Sequence, residues 1–341
     1  YRKRTLQSFL ILFCGAVSIM LVDAYMKGYA ASSMERVIET SGILDAHAQG
    51  YLGSADAMPL DLSIDGADAV MDGMVRVAGE SLSKGAIPLA VASIDTGCVL
   101  SNGEVSRAAR VCATDAYAKT APGLKSPINP LLAKASKSIV DGRFFADGSE
   151  AGAILDAKCA GKLGLKAGDT LILLGNDAYG SFSMMESPIL GIAREGTLPG
   201  EAGCVIDRAS FSEPFGLAGK TTGISMWFAK DGGTTLLGTD DETVAAGRVI
   251  RSLGESPAIE ARSFPQIASS YMAMFEFLDV FLFGMMAIFA IVAIVGMCNA
   301  ILLSVQDRTK DIGTLRAIAI TSRQAGLLIY AETLITGVAA A

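Results

Sequence analysis

Histidine and charge are both scarce in this sequence. Of 341 residues only His47 is a histidine, and charged residues make up 18%, below the roughly 25% of ordinary soluble domains. Because a Ser-His-Asp or Cys-His catalytic site needs a histidine, any such site in this chain would have to use His47. No CxxC or HExxH spacing is present for a thiolate or zinc site. The sequence therefore predicts no catalytic constellation and no metal site, and it predicts His47 to be a surface or capping residue.

A nucleotide-binding loop is also missing. The nearest candidate runs from Gly216 to Thr221, but Pro214 occupies the position where a Walker A motif needs glycine. We therefore expect a solvent loop there, and any ATP hydrolysis must come from another chain. The 28 basic and 35 acidic residues give a net charge of −7, which argues against a nucleic-acid partner because phosphate neutralisation needs clustered Lys and Arg.

Long uncharged apolar segments are what the sequence does contain. Residues 6–22 and 280–305 carry no charge, and residues 325–341 carry only Glu332. A membrane helix needs about 20 residues to cross about 30 Å of hydrocarbon, so three membrane helices are predicted. A secretory signal peptide is the alternative for residues 6–22, but no small-residue cleavage site follows. Helical spacing continues instead through residues 24–40 and predicts a stalk.

The distribution of charge predicts the topology. Residues 1–4 carry three bases, residues 307–323 have a net charge of +2, and residues 24–275 hold 21 bases and 29 acids, a net charge of −8. Short basic flanks face the cytoplasm. We therefore expect a cytoplasmic N-terminus, a large acidic domain outside, and a short cytoplasmic loop between the second and third helices. The first residue, Tyr1, and the apolar run at the end indicate a piece of a longer protein.

The long middle stretch reads as α+β. Strands are predicted at 87–94, 153–155, 170–174, 187–192, 204–206 and 225–229, and helices at 130–140, 156–163 and 243–253. Strands and helices do not alternate strictly, which disfavours a doubly wound parallel sheet.

The cysteines allow a disulfide without requiring one. Cys98 and Cys112 flank a hairpin candidate with Asn102-Gly103 at its turn. A two-residue turn there would place Cys98 opposite Arg107, so a Cys98–Cys112 bridge needs another turn or a bulge. Pairing of these two with Cys159 and Cys204 stays open, while Cys14 and Cys298 fall in the apolar segments.

The segment between the second and third apolar runs carries the most specific motif. Asp311-Ile-Gly-Thr-Leu-Arg-Ala317, followed by Arg323-Gln324 and Glu332, resembles the signature of FtsX-like ABC transporter permeases. The sequence departs from that signature at Ala319 and at Ile320-Thr321. The resemblance implies a cytoplasmic loop that couples a permease to its ATPase. The residues it assigns to that role are Asp307, Arg308, Lys310, Asp311, Ile312, Gly313, Leu315 and Arg316.

Two further matches lie in the middle stretch. Residues 139–145, 153–172 and 188–192 are similar to the MacB-type periplasmic core domain, and Gly42 to Tyr51, with His47-Ala-Gln-Gly-Tyr51, resembles the lipoprotein-releasing LolC/LolE-like permeases. The resemblance implies a membrane protein of the bacterial inner membrane with a large α+β periplasmic domain on helical stalks and a fourth membrane helix beyond Ala341. The implied segments are 1–23 (flank and first helix), 24–275 (stalks and domain), 276–305 (second helix), 306–324 (coupling loop) and 325–341 (third helix).

The function implied by this resemblance is mechanotransmission. A cytoplasmic ABC ATPase dimer, which binds ATP and Mg, would drive two paired permease chains that move lipoproteins towards the outer membrane through a periplasmic carrier. The alternatives are efflux of macrolides or peptides, and a non-transporting regulator of cell-wall hydrolases. A cavity for acyl chains would be lined by Phe9, Phe13, Met20, Phe275, Phe277, Phe281, Phe283 and Met285. An acidic cluster at the membrane edge would contain Asp23, Glu276 and Asp279.

Overall fold

A computed structural model describes residues 2–82, 86–146, 150–230, 235–237, 240–254 and 258–307. Beyond these it describes Thr309, Lys310, Gly313, Thr314, Arg323, Gln324, Gly326, Leu327, Tyr330 and Ala331. The chain divides into two compact units. The helical unit comprises Tyr1–Ser33 and Ser270–Ala341, and the sheet domain comprises Met34–Ser269.

The described residues form helices and strands whose bounds are as follows. The helices are α1 (Arg2–Ser41), α2 (Ala67–Gly79), α3 (Ala133–Ser136), α4 (Ala157–Leu163), α5 (Arg208–Ser212), α6 (Asp240–Leu253), α7 (Phe264–Ile267) and α8 (Ser269–Asp307). The strands are β1 (Leu44–Ala48), β2 (Ile64–Asp65), β3 (Ile87–Ser101), β4 (Ser106–Thr114), β5 (Ile139–Gly142), β6 (Ala153–Asp156), β7 (Thr170–Asn176), β8 (Phe182–Ala193), β9 (Cys204–Asp207), β10 (Lys220–Thr221), β11 (Gly223–Lys230), β12 (Thr235–Leu237) and β13 (Ile259–Ser263).

Most strands belong to one mixed sheet. Its order is β13-β1-β11-β3-β4-β9-β6-β8-β5, and β7 pairs with both β3 and β8. Because of β7, the strands β3, β4, β9, β6, β8 and β7 close a ring, whereas β13, β1 and β11 extend from it as an open edge. The pairs β4–β9 and β6–β8 are parallel, and the others along this path are antiparallel. The α+β prediction for the middle stretch is confirmed.

Two large apolar cores follow this division. One core fills the ring and includes Leu100, Leu155, Leu173, Ile206 and Phe211, each fully buried. The other packs α2 and α6 against the open edge, with the buried side chains of Leu44, Met71, Met74, Ile224 and Val249. Alternate residues of a strand point to opposite faces of its sheet, so the apolar residues of β1 meet α2 and α6 while its polar residues lie on the other face.

Two short helices begin directly after strands because an aspartate ends each strand. The Asp156 carboxylate accepts a hydrogen bond from the Lys158 backbone N–H, and the Asp207 carboxylate accepts one from the Ser210 backbone N–H. These bonds satisfy N–H groups that the first turn of a helix leaves unpaired. The predicted strand–helix junction at residue 156 is thus confirmed, and all six predicted strands are present.

The prediction of one helix over 130–140 is wrong. The structure has a 3-10 turn at Pro130–Leu132, the short helix α3, and then strand β5. Residues of β5 pair with β8, with Ile139 opposite Ala193 and Gly142 opposite Gly191. Strand pairing with a partner distant in sequence overrides the local helical pattern here.

The predicted hairpin around Asn102-Gly103 is confirmed, but its turn is the longer alternative and not the two-residue one. Ser101 pairs with Ser106, which leaves a four-residue loop, and Cys98 therefore faces Ala109 rather than Arg107. The Asn102 side-chain oxygen accepts hydrogen bonds from the backbone N–H groups of Glu104 and Val105. This side-chain turn stabilises the longer loop, with Gly103 at a φ of 95°.

Five cysteines whose side chains the structure describes are free thiols: Cys98, Cys112, Cys159, Cys204 and Cys298. Cys112 lies opposite Asp95, three residues before Cys98 on β3, so the two side chains that were candidates for a bridge point to opposite faces of the sheet. Burial raises the pKa of the Cys98 thiol to about 11 and raises that of Cys204 well above its ordinary value. These thiols are protonated at neutral pH and act as core residues.

One helical segment among the described residues is long and apolar enough to cross a membrane. It is Tyr271–Gly296 within α8, and none of it is buried inside the chain. It overlaps the predicted second membrane helix. Residues 6–22 lie within α1, and residues 325–341 fall almost entirely outside the described residues, so these two spans stay predictions.

Candidate functional site

The predicted coupling segment lies at and beyond the end of α8. Asp307 is the last residue of that helix, and Lys310 and Gly313 are helical and exposed. Arg308, Asp311, Ile312, Leu315 and Arg316 lie outside the described residues. The assignment of an ATPase-coupling role to these eight residues therefore stays a prediction.

The predicted cavity residues are distributed over α1 and α8. Met20 and Phe277 are about 70% exposed, at 73% and 69%. Phe13, Phe281 and Phe283 are exposed as well, Phe275 and Met285 are half-buried, and the Phe9 side chain lies outside the described ones. None of these described side chains is fully buried, and the assignment of an acyl-chain cavity to them stays a prediction.

A lysine accompanies the predicted acidic cluster. Lys27 Nζ lies 2.8 Å from Asp23 Oδ2, one helical turn away on α1. The hydrogen bond and charge of Asp23 raise the pKa of Lys27, and the charge of Asp279 on α8 adds to this. Glu276 is exposed on α8. The structure therefore brings Asp23 and Asp279 to one cation that the sequence argument missed, although the i,i+4 spacing of Asp23 and Lys27 indicated it.

Aromatic rings lie beside this charged group in the helical unit. The Tyr29 ring packs edge-to-face on Phe275, with 6.2 Å between ring centroids, and it stacks on Tyr25 at 6.5 Å. Phe275, a predicted cavity residue, is thus a contact between α1 and α8.

The sheet domain contains a buried polar cluster at His47. The His47 Nε2 atom lies 2.8 Å from Asp45 Oδ2, and its Nδ1 atom lies 2.7 Å from the Thr222 carbonyl oxygen. Its ring stacks on Tyr51 with a centroid distance of 4.6 Å, and only 14% of its side chain is exposed. The prediction that His47 is a surface or capping residue is wrong. The sequence does contain a signal for this arrangement: apolar and polar residues alternate in Leu44-Asp45-Ala46-His47-Ala48, which is typical of a strand with Asp45 and His47 on one face.

Electrostatics couple Asp45 to two cations. Burial by itself favours the neutral carboxylic acid, but the His47 and Arg262 hydrogen bonds and charges lower the pKa of Asp45 below its ordinary value. Burial likewise disfavours charge on His47, yet Asp45 and the Thr222 carbonyl raise the pKa of His47 above its ordinary value. Arg262 Nη2 lies 3.1 Å from Asp45 Oδ2. Asp45 is therefore held ionised, and a proton on His47 is favoured relative to a free imidazole.

Gly223 makes room for this cluster. It pairs with His47 across β1 and β11, and a methyl group at this position would lie 2.8 Å from His47 Cε1. We expect Gly223→Ala to displace the imidazole and to destabilise the sheet domain by about 1–3 kcal/mol, the usual cost of overpacking. Denaturant unfolding of the full chain measures this loss. Gly161→Ala, in open space on α4, is the control, and equal stability of the two variants would contradict the close contact.

A cleft of about 1030 Å³ lies elsewhere in the sheet domain. Its lining includes Met58, Gly97, Cys98, Arg110 and Tyr179. Arg110 is ion-paired with Asp95 at 3.0 Å, and Cys98 is a protonated thiol. The cleft mixes polar and apolar groups and offers a binding surface without an activated nucleophile.

Comparison with known proteins finds similarity only among solved structures. The sequence matches no protein-family profile and no curated protein. The extracellular domain of the noncanonic ABC-type transporter YknZ from Gram-positive bacteria is similar at 14% identity, with a TM-score of 0.40, over 64% of this chain and 99% of that domain. A domain assigned to a permease protein from Porphyromonas gingivalis is similar at 13% identity, with a TM-score of 0.29, over 64% of this chain and 86% of that domain.

Proposed function

We propose that this chain is the membrane permease subunit of an ABC transporter that a separate cytoplasmic ATPase drives. The observation that carries the proposal is the Asp311–Ala317 motif, placed directly after α8, the described helix that is able to span a membrane. A large α+β domain precedes that helix, which is the order of segments that the FtsX-like resemblance implies.

The proposed mechanism transmits motion through the membrane helices. ATP binding closes the ATPase dimer, and the segment 307–324 passes this motion to the second and third helices. The composition of this segment suits docking, because Ile312 and Leu315 are apolar while Lys310, Asp311 and Arg316 supply both charge signs. Such coupling needs two arrangements of the helices and a different ATPase contact in each.

Charge reversal in the coupling segment tests the proposal. We expect Asp311→Lys and Arg316→Glu each to weaken ATPase binding at least tenfold, since losing one partner of a buried interfacial charge pair costs about 2–5 kcal/mol. The measurements are co-purification with the ATPase and permease-stimulated ATP hydrolysis in proteoliposomes.

Matched reversals in the sheet domain are the controls for this test. Asp61→Lys and Arg76→Glu change exposed residues of that domain, and we expect them to leave ATPase binding and stimulation unchanged. If the coupling variants behaved like these controls, a membrane-anchored protein without an ATPase would be the better description.

For the cargo, we propose a lipoprotein taken from the bacterial inner membrane. The support is the resemblance of residues 42–51 to lipoprotein-releasing permeases, together with the exposed Phe and Met side chains on α1 and α8. Flexible thioether and aromatic groups suit acyl chains. Two permease chains, identical or different, would enclose the acyl chains between their first and second helices.

A release assay separates this cargo from the alternatives. The permease, reconstituted with its ATPase and an acylated lipoprotein, is expected to release the lipoprotein to a soluble carrier only when ATP is present. ATPase activity stimulated by macrolides or peptides without lipoprotein release would point to efflux. Activation of a cell-wall hydrolase without transport would point to a regulatory protein.

A further inference from the structure

The chain connects its two units twice, and the sheet-domain strands nearest to these two connections pair with each other. The chain passes from one unit to the other after Ser33 and after Ser269. The strand that follows the first passage is β1, and the last strand before the second is β13. These strands pair antiparallel from Leu44 opposite Ser263 to Ala48 opposite Ile259.

The end of α1 is fixed to the same sheet edge. The backbone N–H of Ile43 donates to the Met226 carbonyl oxygen at 2.8 Å, and Trp227 Nε1 donates to the Ile38 carbonyl oxygen at 2.5 Å. On the other side, Ser263 and Gln266 form a capping box that starts α7 directly after β13. Both connections to the membrane helices therefore begin on the three strands β13, β1 and β11.

One carboxylate links these connections through side chains. Asp45 on β1 bonds His47 on its own strand and Arg262 on β13, with both bonds at its Oδ2 atom. We name Asp45, His47 and Arg262 the Asp45 clasp. Ser225 of β11 donates to the remaining oxygen, Oδ1, at 3.4 Å, so the clasp touches all three strands of the edge.

The hydrogen-bond geometry requires His47 to carry both ring protons. Each nitrogen of the imidazole lies within 2.8 Å of an oxygen, one a backbone carbonyl and the other a carboxylate held ionised by Arg262. Both oxygens are acceptors, and a neutral imidazole has only one N–H. A neutral ring would place a lone pair against an oxygen, so the arrangement selects the imidazolium.

Other polar groups around His47 do not change this conclusion. Around the ring lie the charged residues Asp45, Arg262 and Glu260, the last directly opposite His47 on β13. The uncharged neighbours are Gly223 and Ser225 on β11, Thr222 and Tyr51. The Asp95–Arg110 ion pair lies beyond Thr222. Glu260 accepts a hydrogen bond from the Leu52 backbone N–H at 2.9 Å, which holds it on the same face. The charge of Arg262 by itself lowers the pKa of His47, but the three carboxylates outnumber the two guanidinium groups around the ring, and the net negative charge favours a proton on His47.

We propose that the Asp45 clasp is a pH-sensitive lock that fastens β1 to β13 while His47 is protonated and loosens this edge when the proton leaves. Loss of the proton turns a nitrogen lone pair towards an acceptor oxygen; at Nε2 it faces Asp45 Oδ2, the atom that also accepts from Arg262 of β13, and the repulsion displaces the carboxylate that joins the two strands. The raised pKa of His47 gives the sign: the stabilisation is complete below about pH 6.5 and is lost as pH rises through the higher pKa of the folded state. The lock does not depend on whether the chain works with an ATPase.

The single histidine makes the first test direct. In the full chain, labelled with ¹⁵N-histidine, all imidazole signals come from His47. We expect both ring nitrogens to be protonated at pH 7, and we expect Asp45→Asn to lower the proton affinity of His47 at least tenfold. A neutral ring at pH 7 in the unmutated chain would overturn the proposal. So would an unchanged titration in Asp45→Asn, provided that this variant folds.

Amide hydrogen exchange provides the second test, and its main comparison uses the unmutated chain. After correction for the intrinsic effect of pH, protection of β1 and β13 is expected to fall at least tenfold across the His47 titration, while β6 and β9 of the ring keep theirs. Arg262→Gln should show the low protection at every pH, and Arg76→Gln on the exposed side of α2 should behave like the unmutated chain. Constant protection of β1 and β13 across the titration would show that the clasp does not lock this edge.

Discussion

Trp227→Ala is expected to lower the free energy of unfolding of the sheet domain by about 3–5 kcal/mol. The Trp227 ring is fully buried on β11. It packs with Leu89, Val91 and Ala118, and against Ile38 at the end of α1. Removal of the indole leaves a cavity and also removes one of the two donors to the Ile38 carbonyl oxygen, which keeps only the Gly42 backbone N–H. Because a domain is stable by only about 5–15 kcal/mol, this loss is a large share of the total.

Two variants show what the indole contributes. Trp227→Phe keeps much of the apolar contact and loses the hydrogen bond, so we expect a smaller loss of about 1–3 kcal/mol. Tyr179→Ala removes a ring that is 78% exposed and should change stability by less than about 0.5 kcal/mol. Guanidinium unfolding of the full chain, followed by circular dichroism, measures all three. Local exchange of residues 34–44 should rise in Trp227→Ala, and an unaffected α1 end would contradict the anchoring.

Arg208→Ala is expected to cost about 1.5–3 kcal/mol at neutral pH, because it leaves a carboxylate whose side chain is only 25% exposed without its cation. Arg208 is 11% exposed at its side chain, and its Nε atom donates to Asp115 Oδ2 at 2.9 Å. Its Nη2 atom lies 3.3 Å from Asp68 on α2. Burial already raises the pKa of Asp115, although Arg208 opposes this. Without the Arg208 guanidinium, burial therefore raises the pKa of Asp115 further.

The sign of the pH dependence follows from this shift. When a folded carboxyl has a raised pKa, its protonated form is favoured by folding. The resulting stability is therefore present below the unfolded pKa and is lost as pH rises through the folded value. Arg208→Ala raises the folded value further, so its destabilisation should be larger at pH 8 than at pH 5.

A double variant supplies the control for this prediction. Asp115→Asn combined with Arg208→Ala has no buried charge to desolvate and should recover part of the loss. Fluorescence of Trp227, the single tryptophan, follows unfolding in each variant. An Arg208→Ala protein with the same stability at both pH values would show that Asp115 stays solvated.

The strands were predictable because their signals are local. Cys204-Val-Ile206 and Ala153-Ile-Leu155 are short apolar runs that any fold of this kind must bury. Pro130 to Val140 carries an equally plausible helical pattern, yet its last residues form β5 and pair with β8. The sequence of residues 130–140 does not indicate where β8 lies in the fold, and for that reason the helix prediction failed.

The His47 cluster illustrates the same limit at the candidate site. Alternation along β1 placed Asp45 and His47 on one face, but Arg262 comes from a strand more than two hundred residues later, and the Thr222 carbonyl comes from a third segment. The sequence by itself does not bring these groups together. The apolar segments are the opposite case, because length and absence of charge are local properties that suffice to predict them, and among the described residues Tyr271–Gly296 is long and apolar enough to cross a membrane.

The antiparallel pairing of β1 and β13 has a mechanical consequence. Leu44, where the chain enters β1, lies opposite Ser263, where it leaves β13, so entry and exit share one end of the pair. A force that pulls the two connections apart would unzip the strands one hydrogen-bonded rung at a time rather than shear all rungs together. The second rung from that end joins Asp45 to Arg262, so their ion pair is the first side-chain bond between these two strands that such a force would have to break.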